Sequence, residues 1–166
     1  MREKTIRFAA LSLLAAVAVW LDQWTKELAV AHLMGKGAFP IWEHVFELLY
    51  VENRGAAFGM MQGKQMVFFA IAVVVIVGVV YVLWKMPMSR RYVPLELCLS
   101  FLCAGAVGNV IDRVTRGYVV DFFYFSLIDF PVFNVADIYV VVSALLLAVL
   151  VMFYYKEEEF SFLQRK

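Results

Sequence analysis

The chain has 166 residues, 64% of them hydrophobic and 17% charged, with a mean hydropathy of +0.79. A soluble domain is nearer half apolar and about a quarter charged, and a small one needs polar surface, so these proportions exclude an ordinary soluble fold and point to lipid as the solvent. A net charge of +1 says nothing about nucleic acid, but no basic patch alternates with aromatics, and no nucleic-acid partner is expected.

Arg2, Lys4 and Arg7 precede an apolar run, Phe8–Leu21, which stops at Asp22 and resumes at Leu28, Ala29, Val30, Leu33 and Met34. This predicts one helix over about 5–33, with Arg7 snorkelling at one end. Asp22 then lies in or near the membrane rather than in a loop. Asp22 and Lys26 stand at i and i+4 with the acid first, the favourable order on a helix. The rival reading is a cleavable signal peptide ending at Ala16-Val17-Ala18, whose removal would leave an odd number of crossings.

An outer segment over about 35–65 follows. Within it Val45–Glu52 is rich in strand formers and runs into the turn signal Asn53-Arg54-Gly55. Met66–Trp84 carries no charge and matches the roughly 20 residues that a helix needs to cross hydrocarbon, giving span two over 66–84. Pro94, at a plausible first helical position, opens span three over 94–111. Glu96 there is close enough to the end to reach headgroups. A second outer segment, about 112–135, contains the β-branched and aromatic Tyr118–Phe125, broken by Asp129 and Pro131. Span four covers 136–155 and is stopped by Lys156 and by Glu157–Glu159, which reads as the start of a solvated polar tail.

The expected fold class is an all-α membrane protein, a single domain over 1–166, with four transmembrane helices and a small extracytoplasmic β-strand subdomain. Basic residues flank the amino end and the link between spans two and three (Lys85, Arg90, Arg91), so the positive-inside bias puts both termini in the cytoplasm. The two strands are expected on the outer membrane surface with their aromatics in the interface. Cys98 and Cys103, five residues apart on one helix, point to different faces and cannot bridge each other. His32 and His44 have no ligand-spaced companions, and neither C-x-x-C nor H-E-x-x-H occurs, so neither a metal nor a cofactor is expected.

A charge at bilayer depth costs roughly 3 kcal/mol or more, which makes such residues functional candidates. In this topology Asp22, Asn109, Asp112, Arg113, Asp121, Asn134 and Asp137 all fall towards one outer face. Taken singly, several have ordinary explanations. Asp112 and Arg113 could form an interfacial ion pair, Asn134 and Asp137 an N-cap and its N3 partner, and Asn53 a turn. Asp121 resists this, because an unpaired carboxylate inside V-V-D-F-F would be costly. Two neighbouring carboxyls in a partly dry site share their protons unequally, which supplies an acid and a base at neutral pH. Asp137, near a helix N-terminus, is the better candidate for the ionised form, and Asp121, among aromatics, for the protonated one. Such a pair can activate a water against a peptide carbonyl and protonate the leaving amine. No G-x-S-x-G, Cys–His or Ser–Lys arrangement competes at that face.

Five strings occur in order around these spans: L-D-Q-W-T-K (Leu21–Lys26), E-N-R-G-A-A-F-G (Glu52–Gly59), G-N-V-I-D-R (Gly108–Arg113), V-V-D-F-F (Val119–Phe123) and F-N-V-A-D (Phe133–Asp137). Each is weak alone. Together the chain resembles the bacterial lipoprotein signal peptidases, or signal peptidase II, from span one to the start of span four. The resemblance implies an aspartic endopeptidase of the bacterial cytoplasmic membrane. It would remove the signal peptide from a prolipoprotein, cutting just before a cysteine that already carries diacylglycerol. By the same resemblance Asp121 and Asp137 form the catalytic dyad. Asn53, Asn109, Arg113 and Asn134 orient substrate or dyad, Asp22, Lys26 and Asp112 support them, and Gly55 belongs to the same motif as Asn53. The implied partners are lipidated prolipoproteins and membrane lipid, and the enzyme is expected to act as a monomer. Two other classes remain: a small ion-coupled transporter using the acids as a proton relay, whose site should lie near the bilayer midplane, and a purely structural subunit, which would tolerate loss of Asp121.

Overall fold

The computed structural model describes residues 2–55 and 65–164. The long apolar runs become helices: α1 (Arg2–Leu33), α2 (Gln65–Lys85), α3 (Val93–Thr115) and α4 (Val135–Val149), the last prolonged by a π-helical turn, Leu150–Tyr154. Among the described residues, three helical segments are long and apolar enough to cross a membrane: Arg2–Leu33, Arg90–Thr115 and Val135–Tyr154. In α2 the apolar stretch counted among these residues is the shorter Phe69–Lys85. Helix α1 runs without a break through Asp22, as its resumed apolar pattern predicts, and continues well past Ala18.

Helix α3 is central, packing against α1, α2 and α4. Its glycines explain how closely α4 approaches. A Cβ at Gly105 would stand 2.5 Å from the Ala136 carbonyl oxygen and 2.8 Å from Val140 Cγ2. A Cβ at Gly108 would strike the Asp22 carboxylate and come within 3.4 Å of the Ala136 Cβ. Small residues let backbones approach where lipid supplies no hydrophobic drive between helices. Here they bring α1, α3 and the first turn of α4 to one point.

Three antiparallel strands cap that end in the order β1 (Phe39–Trp42), β2 (Phe46–Asn53), β3 (Val119–Tyr124). The second and third fall on the two segments anticipated from their β-branched and aromatic content. Strand β1 was not anticipated. Its F-P-I-W string contains a proline, which is tolerated because β1 is an edge strand. The β2–β3 register pairs Val51 with Asp121 and Asn53 with Val119, which brings the end of β2 alongside the start of β3. Val120 and Phe122 pack with Ala29 and Leu33, so β3 is seated on the last turns of α1. Phe39, Ile41 and Trp42 of β1 remain exposed, as do Leu127 and Ile128 beyond β3.

The opposite end corrects one expectation. The Glu157–Glu159 run does not lead into a solvated tail, because Glu157–Leu163 folds as a 3-10 helix with Phe162 buried against Tyr92 and Tyr155. Arg91 explains the change: Nε donates to Glu159 Oε1 at 2.9 Å, and its guanidinium lies 3.8 Å from the centre of the Tyr154 ring. The Tyr92 hydroxyl donates to the Glu159 carbonyl at 2.8 Å. A cation and an aromatic cluster thus hold an acidic segment whose composition alone reads as solvated.

Candidate active site

Helix α1 contributes Asp22 and Lys26 one turn apart, both fully buried. Lys26 Nζ lies 2.8 Å from Asp22 Oδ2, 3.2 Å from Asp112 Oδ2 and 3.0 Å from Asn109 Oδ1. A buried ammonium needs every proton satisfied, and these three acceptors supply that. Asp112, near the end of α3, also accepts the Val120 N–H at 3.0 Å. Asp112 is thus bonded to both α1 and β3. Arg113 directs Nη1 to the Asn109 carbonyl at 3.2 Å.

Asp22 reaches further, because its Oδ1 accepts the Ala136 N–H at 2.9 Å. That amide is one of the four left without an intrahelical partner at the start of α4, where the helix also favours negative charge. The start of α4 carries a full capping box as well. Asn134 Oδ1 accepts the Asp137 N–H at 2.9 Å, and Asp137 Oδ2 accepts the Asn134 N–H at 3.2 Å. The ordinary cap and the polar centre use the same two residues.

The two remaining carboxyl environments meet at Asn134. Its Nδ2 donates to Asp121 Oδ1 at 2.7 Å, while its backbone N–H holds Asp137. Asp121 Oδ2 accepts from Asn53 Nδ2 at 2.9 Å, and Asn53 is itself oriented by the Gly55 N–H, which donates to Asn53 Oδ1 at 3.0 Å. Asp137 Oδ1 accepts from Asn109 Nδ2 at 2.8 Å. Asp121 is 1% exposed, and burial, followed by the charge of Asp137, pushes it up to about 7 against the donors of Asn53 and Asn134. In β3 it thus holds a proton near neutrality, as its aromatic surroundings suggest.

The structure gathers Asp22, Lys26, Asn53, Asn109, Asp112, Asp121, Asn134 and Asp137 in one connected network, with Gly55 and Arg113 at its margin. Sequence reading passed over Gln23. Its Nε2 lies 3.1 Å from each of Asp22 Oδ2, the Gly108 carbonyl and Asp112 Oδ1, joining α1 to α3. Its place inside L-D-Q-W-T-K was the available signal. The backbone amides of Val120 and Ala136, which anchor two of the acids, have no signature in sequence.

Membrane-length helices converging on a buried polar centre with two neighbouring carboxyls define an integral membrane protein built around that centre. The family model described as Signal peptidase (SPase) II matches residues 14–153, and the chain belongs to that family. It is therefore a membrane peptidase, and not the transporter or passive subunit that its acids alone also allowed. Relatives include the lipoprotein signal peptidase of Caldanaerobacter subterraneus subsp. tengcongensis, 48% identical over 141 residues, or 84% of this chain and 94% of that one. The lipoprotein signal peptidase of Brevibacillus brevis is 44% identical over 131 residues, 79% of this chain and 87% of its own length. A solved bacterial membrane enzyme structure at 1.9 Å resolution is similar in fold, with a TM-score of 0.75 and 30% identity over 89% of this chain and 95% of the other.

Proposed function

We propose that this peptidase is an aspartic endopeptidase that removes the signal peptide from diacylglyceryl-modified prolipoproteins, cutting just before the lipid-bearing cysteine. The observation that carries the reading is the pair Asp121 and Asp137, joined through Asn134 yet unlike in surroundings. Asp137 accepts two N–H bonds in the first turn of α4, from Asn109 Nδ2 and the Asn134 backbone. Asp121 keeps a proton to about 7. The Asp137 carboxylate takes a proton from a water as that water attacks the scissile carbonyl, and the Asp121 carboxyl protonates the forming oxyanion. Collapse of the tetrahedral intermediate breaks the C–N bond: Asp137 passes the proton it took from water to the leaving amine, and Asp121 recovers a proton from a hydroxyl of the intermediate as the carbonyl re-forms. Asn53, Asn109 and Asn134 hold the carboxyls, Arg113 lies beside them for the substrate, and Asp22, Lys26 and Asp112 brace the floor.

The names of the relatives support lipoprotein precursors as substrates. We read four crossings by α1 to α4, and the basic residues at the amino end and at Lys85, Arg90 and Arg91 support both termini on the cytoplasmic side. The sheet and the polar centre then lie at the extracytoplasmic face, where a signal-peptide helix among the spans brings its lipidated end to the pair. A single copy contains all these groups, which supports a monomeric enzyme.

The test is cleavage by the purified enzyme of a lipidated precursor beside its non-lipidated counterpart. The lipidated form should be cut at the bond before the cysteine, with kcat/KM at least tenfold higher. Equal turnover of both forms would overturn the substrate class. The raised Asp121 also sets a pH dependence: kcat/KM should fall tenfold per unit above about pH 7, as the proton on the acid is lost. The folded protein keeps that proton up to about 7, whereas a free Asp releases it near 3.8, so stability should decline as pH rises between these values. A pH–rate profile flat to pH 9 would remove Asp121 from the acid role.

A further inference from the structure

The orientation of the amides around the two carboxyls has an identifiable source. An asparagine side chain has nearly the same shape either way round, but its oxygen only accepts and its nitrogen only donates. Asn109 faces Asp137 on one side and Lys26 on the other. Lys26 Nζ has three protons and accepts nothing, so the Asn109 atom 3.0 Å from it is the oxygen. The NH2 group is thereby turned to Asp137 Oδ1 at 2.8 Å. Reversed, the amide would set its oxygen against a carboxylate and its NH2 against an ammonium, two repulsive contacts in a buried site.

The same oxygen extends the constraint to the second carboxyl. Asn109 Oδ1 also lies 3.1 Å from Asn134 Nδ2, while Asn134 Oδ1 is taken by the Asp137 N–H. Asn134 is therefore fixed with its NH2 towards Asp121 Oδ1 at 2.7 Å. Burying an ammonium completely is costly, and its third proton is spent on Asn109.

We propose that Lys26 is a positioning residue for peptide hydrolysis: it fixes the amide sense of Asn109, so that an N–H donor faces Asp137 and the Asn109 oxygen receives the NH2 of Asn134 beside Asp121. Lys26 acts on the pair through the Asn109 amide. The inference rests on the reading of Asp121 and Asp137 as the working pair.

The test compares Lys26→Met with the double variant Asp22→Asn/Lys26→Met. The double variant removes Lys26 together with one of its two acids, leaves an oxygen for the Ala136 N–H, and leaves Asp112 its bonds from the Val120 N–H and Gln23, so it is the form expected to fold. Both are assayed for cleavage of a lipidated precursor, with thermal unfolding in detergent as the measure of fold. In the folded double variant kcat should drop at least tenfold while KM stays within about twofold, because substrate contacts remain and the alignment of the pair is lost. Adding Lys26→Met to Asn109→Ala should lower kcat no further, since the amide on which it acts is gone. A folded double variant with kcat near the parent value overturns the proposal. So does a loss that multiplies with that of Asn109→Ala, which would mean Lys26 acts by another route. Asp121→Asn is run alongside: if it retains turnover, the reading of the pair fails, whereas an inactive Asp121→Asn beside a fully active double variant defeats only the role of Lys26.

Discussion

Replacing either carboxyl of the central pair, Asp121→Asn or Asp137→Asn, should lower kcat for a lipidated precursor by about a thousandfold or more, since a positioned acid or base contributes about 10²–10⁴ and each of the two is used in the same step. Asparagine matches aspartate in size but neither takes nor gives the proton. The two substitutions differ in their structural effect. At position 137 the asparagine oxygen can still accept one of the N–H bonds now made by Asn109 and Asn134, so the start of α4 remains capped. At position 121 a new NH2 would meet the donors of Asn53 or Asn134, and one bond is lost at a cost of about 1 kcal/mol. Both variants should stay folded, with thermal midpoints a few degrees from the parent. A folded variant of either kind that released signal peptide at the normal rate would end the aspartic assignment.

The second large effect is on stability. Asp22→Ala should destabilise the protein by about 3–5 kcal/mol, because it takes a charged hydrogen bond from the buried Lys26 ammonium, which keeps Asp112 and Asn109, and leaves a buried N–H without its acceptor. The same side chain accepts the Ala136 N–H at 2.9 Å, so the first turn of α4 loses an acceptor too. Thermal unfolding in detergent should show a midpoint lowered by about 10 °C, on the scale of 2–4 °C per kcal/mol for chains of this size. Asp22→Asn, which keeps an oxygen for Ala136, should fall between the parent and Asp22→Ala. If Asp22→Ala unfolded with the parent, the α1–α4 link would not be part of what holds the bundle together.

The helices were legible because the runs that form them are long and apolar, and such runs form helices in lipid largely whatever their neighbours are. Strands β2 and β3 were legible for a similar local reason, a β-branched and aromatic content bounded by turn residues. Strand β1 was not: four residues containing Pro40 have little strand preference and acquire it by pairing with β2. Nor was the folded end of the chain. Glu159 reads as solvated until Arg91, 68 residues away, is brought against it.

The polar centre divides along the same line. Which residues would be costly in lipid can be read from the order of residues alone, since hydropathy and helix period show Asp22, Asp121 and Asp137 as acids out of place in apolar segments. The order of residues also carries the strings that mark the family. It does not say which acid bonds to which group. The ammonium of Lys26 reaching Asp112 on α3, the Ala136 and Val120 amides serving as donors, and Gln23 spanning α1 to α3 all depend on the close approach that Gly105 and Gly108 permit. Membrane crossing is a property of segments about 20 residues long, set by local composition. Pairing among buried polar groups depends on separations of about 3 Å between atoms far apart in the chain, and those separations exist only once the helices have packed.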